Sequence, residues 1–141
     1  MSILDGYRTM IVDELAEVEK RMAEAKSPGD LIYFFSAAFG VMNRIMNFDC
    51  DPTLVFIHQV LQSLHQAVQA RFAANPPVPG EHMATPDEFL AKMRHLISTL
   101  RTAIRDDSKE DIYSALESAA VLTYATTGNG YYLYLTGKLR V

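Results

Sequence analysis

Two neighbouring stretches decide the fold: Leu31–Met42, LIYFFSAAFGVM, and Leu54–Val68, LVFIHQVLQSLHQAV. Wound at helical pitch, the first is apolar on every face, and such a helix has to be covered all round. It is about half the ~20 residues that span a bilayer, so protein rather than lipid is the expected cover. The second places Leu54, Ile57, Leu61, Leu64 and Val68 at alternating steps of three and four, the seam of an antiparallel bundle. Its opposite face carries Gln59, Gln62, Gln66 and Gln69, polar but uncharged. Between the two helices lies Asp49-Cys50-Asp51-Pro52, in which Asp51 can cap and Pro52 can open the next helix.

Charge is sparse across this hairpin. From Leu31 to Ala70 only Arg44, Asp49 and Asp51 are charged. Charged side chains are seldom fully buried, so the hairpin is expected to be the inner layer and the remaining helices the outer one. One chain has difficulty covering both a greasy helix 2 and an uncharged helix 3. A symmetric dimer with facing hairpins resolves this, with Phe35, Phe39, Gly40, Ile57, Leu61 and Leu64 as the expected interface. Ser36 and Gly40, four apart, would let a second backbone approach closely. The competing arrangement is a monomer with helix 2 at its centre and an exposed glutamine face.

Helix 1 is read from Ile3 to Lys26, with Ser2 as cap and Leu4, Ile11 and Val18 on its apolar stripe. Pro28 opens helix 2 behind Ser27, and the helix runs to about Phe48. Helix 3 runs from Pro52 to about Ala73. Asn75–Gly80, NPPVPG, cannot be helical. Thr85-Pro86-Asp87-Glu88 starts helix 4, which runs to about Asp106 with Leu90, Met93, Ile97, Leu100 and Ile104 inward. Ser108 caps helix 5, and Gly128-Asn129-Gly130 is read as its stop near Thr126. The last eleven residues, YYLYLTGKLRV, alternate as a strand would, but no other segment offers a strand to pair with. A helical turn packed on the bundle is therefore favoured, and this apolar tail behind a glycine hinge is expected to reach a neighbouring subunit. The fold expected is all-α: one antiparallel bundle of about five helices with a short C-terminal tail, over residues 1–141.

Several chemistries find little support. A net charge of −4 gives no general attraction for phosphate backbones or anionic lipid. Arg94, Arg101 and Arg105 share one face of helix 4 beside Lys92, which reads as a polar helix face; no nucleic-acid or membrane partner is expected. Cys50, the single cysteine, lies between two aspartates that disfavour its thiolate. The N-terminal residues read as an acidic amphipathic helix rather than a signal peptide, and the expected compartment is the cytoplasm. No histidine follows an acidic residue by three or four, and His58 and His65 lie two turns, ~10 Å, apart. They read as boundary histidines, so no metal and no cofactor is expected. Asp13, Glu14 and Glu17 read as a solvated face with Lys20 and Arg21 as partners.

The least ordinary stretch is the C-terminal one. Tyr124, Gly128, Asn129, Gly130, Tyr131, Tyr132 and Tyr134 could wall a ligand pocket with Tyr33, Phe34 and Phe35, since a glycine-flanked turn can offer backbone N–H groups to an anion. The plainer reading is a cap followed by tyrosines that fasten the tail. The function expected is a non-enzymatic, self-associating helical interaction or scaffold domain with a protein partner. The alternative is a small-molecule-binding bundle, a sensor or an enzyme, with that tyrosine-lined pocket.

Overall fold

Prolines and side-chain caps set the helix starts in the computed structural model, which describes residues 3–72 and 86–139. These described residues make six helices: α1 (Ile3–Glu24), α2 (Pro28–Met46), α3 (Pro52–Phe72), α4 (Pro86–Arg105), α5 (Lys109–Ala125) and α6 (Gly128–Leu135). Proline holds the first position of α2, α3 and α4, where its missing N–H costs nothing. Ser27 accepts from the Asp30 amide at 3.1 Å and Ser108 from the Asp111 amide at 3.2 Å. Asp51, buried, accepts from the Thr53 and Leu54 amides at 2.7 and 3.4 Å, so its charge is held by the start of α3. The expected caps Ser2 and Thr85, and the Asn75–Gly80 connection, lie outside the described residues.

The helices form a ring. α1 packs on α2 and α4, α2 on α3, α3 on α5, and α5 on α4. Short connections make α1/α2, α2/α3 and α4/α5 antiparallel hairpins. α3 and α5 run parallel: Phe56 meets Tyr113 near both N-terminal ends, and Arg71 meets Thr126 near both C-terminal ends. Arg8 of α1 closes the ring by donating to the Ile104 carbonyl and pairing with Asp107 at 3.2 Å. Asp107 has φ 53°, the left-handed geometry that ends α4.

Every residue of the α3 seam, Leu54, Ile57, Leu61, Leu64 and Val68, is fully buried. They meet Phe35 and Met42 of α2, Ile11 and Leu15 of α1, Met93 and Ile97 of α4 and Leu116 of α5 in one apolar cluster. At ~25 cal/mol per Å² of apolar surface, this burial contributes more than any other interaction to holding the bundle together.

Two expectations change. α2 touches α1, α3 and α4 but is not surrounded: Tyr33 is 72% exposed, and Ala37 and Asn43 are also exposed. A ring of five helices leaves each member one outward strip, even a greasy one. The C-terminal segment is a sixth helix rather than a tail, and Gly128 opens it instead of ending α5. Thr126 closes α5 in right-handed geometry, and Thr127 caps α6 by accepting from the Gly130 amide at 3.1 Å. α6 packs on α5 of its own chain.

Candidate functional site

Gly130 explains the α5–α6 corner. A Cβ placed on it would lie 1.8 Å from the Tyr124 carbonyl oxygen and 2.8 Å from Thr127 Oγ1. Only glycine permits this approach. The Thr127 amide and hydroxyl both donate to that carbonyl, at 3.0 and 2.7 Å, so the turn is closed by its own backbone. The Gly130 amide is already used by Thr127, which leaves it unable to serve as an anion donor.

The expected tyrosine wall does not converge. Tyr131 points inward, 6% exposed, with the Arg71 guanidinium 4.9 Å above its ring. Tyr134 stacks on Tyr131 at 6.3 Å and meets Phe89 of α4 edge-on at 5.7 Å. Its buried hydroxyl has no hydrogen-bond partner among the described residues. Tyr124 and Tyr132 point outward, 47% and 62% exposed, and Asn129 is exposed. Arg71 also donates to the Thr126 carbonyl at 2.9 Å. Arg71, Tyr131 and Tyr134 thus form a clasp that seats α6. Of the helix-2 aromatics, Phe35 is in the core and Tyr33 faces out, so they do not extend that wall.

The expected interface residues divide. Phe35, Ile57, Leu61 and Leu64 are fully buried in the chain's own core and are inaccessible to a partner in this fold; Phe39 and Gly40 are half-buried at the surface. Phe39 sits between the two α3 histidines, 5.8 Å from the ring of His58 and 5.4 Å from that of His65. His65 donates to the Ile32 carbonyl, yet its pKa lies below the ordinary histidine value because burial disfavours the charged ring. Beside this pair stand Tyr33, Ser36, Gly40 and Asn43 of α2 and Gln59, Gln62, Gln66 and Gln69 of α3, with the exposed Arg44 at their α1 side, paired to Glu14. None of these eight is charged. Gly40 has no heavy atom within 4 Å of where its Cβ would stand.

Several of the charged residues elsewhere are paired. Glu14 meets Arg44, Glu17 meets Arg21 at 2.9 Å, and Glu19 meets Arg101 at 3.0 Å. Glu14, Glu17 and Glu19 of α1 thus lie against arginines, and Arg101 and Arg105 of α4 each hold a carboxylate, the latter Asp106. Among the described residues no three His, Cys, Asp or Glu side chains gather as metal ligands, and no helix is long and apolar enough to cross a membrane. Cys50 is exposed.

One cavity has no counterpart in the sequence reading. It lies between α4 and α5, has a volume of about 190 Å³, and brings Lys92, His95 and Thr99 of α4 opposite Ser114 and Ser118 of α5. Buried Leu96, Ala115 and Leu122 line its apolar side. A second cavity of about 350 Å³ shares His95, Thr99 and Ser114 and adds Ser98, Thr102 and Asp111, so the two make one trough. A signal for it is present in composition: hydroxyl residues are poor in helix interiors, yet Ser98, Thr99, Thr102, Ser114 and Ser118 lie inside two consecutive helices. Comparison of the chain with protein-family models, curated proteins and solved structures finds no match.

Proposed function

We propose that this protein is a non-enzymatic interaction domain that acts as a homodimer, its two copies meeting through the outward face of the α2–α3 hairpin. The observation that carries the reading is that face: Tyr33, Ser36, Gly40 and Asn43 beside four glutamines, with no charge among them. Depletion of charge, an accessible aromatic and small residues at a helix crossing are the composition of an interface centre. The size is adequate. Two helices of 19 and 21 residues, at ~1.5 Å per residue and ~10 Å apart, offer a face of roughly 30 by 20 Å. That approaches the ~800 Å² per partner of an ordinary stable interface once side-chain relief is included. The half-buried Phe39 and the histidines beneath the face become fully covered in such a dimer.

Sedimentation equilibrium tests it. The wild-type chain is expected as a dimer at tens of micromolar, and Gly40→Glu or Gln62→Glu as monomers with unchanged helical circular dichroism, because both positions are accessible in the single chain. A wild-type chain that stays monomeric at concentrations several times higher overturns the proposal, as does a dimer that survives both substitutions.

A further inference from the structure

We infer that the α4–α5 trough is a binding site for a small carboxylate with a compact apolar body. The first of its two cavities has polar donors converging from both helices over an apolar side, the arrangement by which small ligands are oriented and held. Lys92 and His95 stand three apart on α4, so both side chains lie on one face, and Thr99 follows His95 by four. Ser114 and Ser118, four apart on α5, face them across the trough.

The charge of the site selects the ligand class. Among the described residues, those lining the first cavity include a lysine and a histidine and no carboxylate. Asp111 belongs to the far end, beside Thr102, and Thr102 is ten residues or ~15 Å along α4 from Lys92. Ser114, one turn along α5 from Asp111, is the donor nearest that acidic group, so the carboxylate is seated toward Lys92. Lys92 does not need to be without other contacts, since an ammonium carries three donors. Thr99 directs its hydroxyl at the His95 carbonyl, 2.9 Å away, and the exposed His95 ring stands beside it on the wall of the cavity.

The apolar side and the volume set the size. About 190 Å³ is below the ~300 Å³ at which drug-sized pockets begin, so the ligand has a short chain or a single small ring. Leu96, Ala115 and Leu122 offer it no side-chain hydrogen bonds, and the hydroxyls of Ser114 and Ser118 are left to donate to the carboxylate oxygens. The trough is open to solvent, which screens the ion pair and places the dissociation constant in the millimolar range, roughly 1–10 mM.

Nuclear magnetic resonance titration of the full chain with sodium hexanoate, at ionic strength held constant with sodium chloride, tests the inference. The expected result is saturable shifts at the Thr99, Ser114 and Ser118 amides and at the His95 ring. Lys92→Gln and His95→Gln, each at a position where the side chain reaches solvent, should weaken binding about tenfold and leave the helical spectrum intact. Hexan-1-ol and hexylammonium should give tenfold weaker or no saturation at these residues. Equal binding of the alcohol would show that the carboxylate is not recognised, and it overturns the inference. Shifts that never saturate, that centre elsewhere, or that persist in both variants overturn it too. The dimer can fail without affecting this result, because the α4–α5 trough is a different surface.

Discussion

Replacing Gly130 with alanine introduces one methyl group at the place where two helices turn on each other. In the native corner that methyl would stand 1.8 Å from the Tyr124 oxygen and 2.6 Å from its carbon, both backbone atoms. To reach an ordinary contact distance, α6 must withdraw by more than the width of a bond. The Thr127 cap on the Gly130 amide, 3.1 Å long, breaks in that movement, a loss of ~1 kcal/mol. Tyr131 is partly drawn from its buried site, and full exposure would forfeit ~1.5–3 kcal/mol. Its contact with Arg71 weakens as well, by ~0.5–1 kcal/mol. The expected destabilisation is about 2–4 kcal/mol, with the undocking of α6 as its ceiling. At ~2–4 °C per kcal/mol for a chain of this size, Tm falls by about 5–15 °C. Gly6→Ala is the control: Gly6 lies inside α1 with nothing within 4 Å of its would-be Cβ. There the same change should stabilise by ~0.5–1 kcal/mol through helix propensity. Urea unfolding followed by circular dichroism compares the two. If Gly130→Ala lies within about 0.5 kcal/mol of wild type, the range of an ordinary surface substitution, the corner is not closed in the way described.

The same packing fixes three more outcomes. Made in the monomeric Gly40→Glu chain, Phe35→Ala, at a fully buried ring, should cost ~3–5 kcal/mol in urea unfolding, and Phe39→Ala, half-buried, about half as much; equal losses there would refute the inward and outward assignment. Arg71→Met should cost ~2–3 kcal/mol, because it removes a charged hydrogen bond to the Thr126 carbonyl and the cation over Tyr131, while a loss under ~0.5 kcal/mol would mean that α6 is seated without the clasp. His65 is held neutral by burial, so its folded pKa lies below the 6.5 of an unfolded histidine. The stability it contributes is complete above pH 6.5 and is lost as the pH falls through the folded value. His65→Gln should flatten that part of the stability–pH curve, and an unchanged slope refutes the assignment.

Much of the fold is legible in the sequence because periodicity and punctuation agree. Spacing alone marks Leu54, Ile57, Leu61, Leu64 and Val68 as a seam, and all five are fully buried. Pro28, Pro52 and Pro86 have the sequence context of first helical residues and are. Legibility ends where one residue type serves two purposes. Gly128 and Gly130 have the look of a helix stop, but Gly130 is there to admit a carbonyl, and Thr127, a better cap than a glycine, starts a new helix. The outward strip of α2 is invisible to hydropathy, which reports what a helix would prefer, whereas ring geometry decides what it receives. The trough cannot be assembled from α4 or α5 singly. Lys92 and His95 acquire meaning only when α5 runs antiparallel beside them and puts Ser114 and Ser118 opposite.

The closure of the ring by α1 on α4 bears on how the chain folds as it is made. Arg8 and Ile104 are 96 positions apart. The three N-terminal helices can collapse as local hairpins, but the side of α1 that packs on α4 has no partner until α4 is made. At ~5–20 residues per second, the synthesis of the roughly 80 residues between the end of α1 and the end of α4 takes about 4–16 s. Throughout that interval an apolar helix face is open to other nascent chains and to chaperones. Non-local pairing of this kind also slows folding relative to a bundle of successive hairpins.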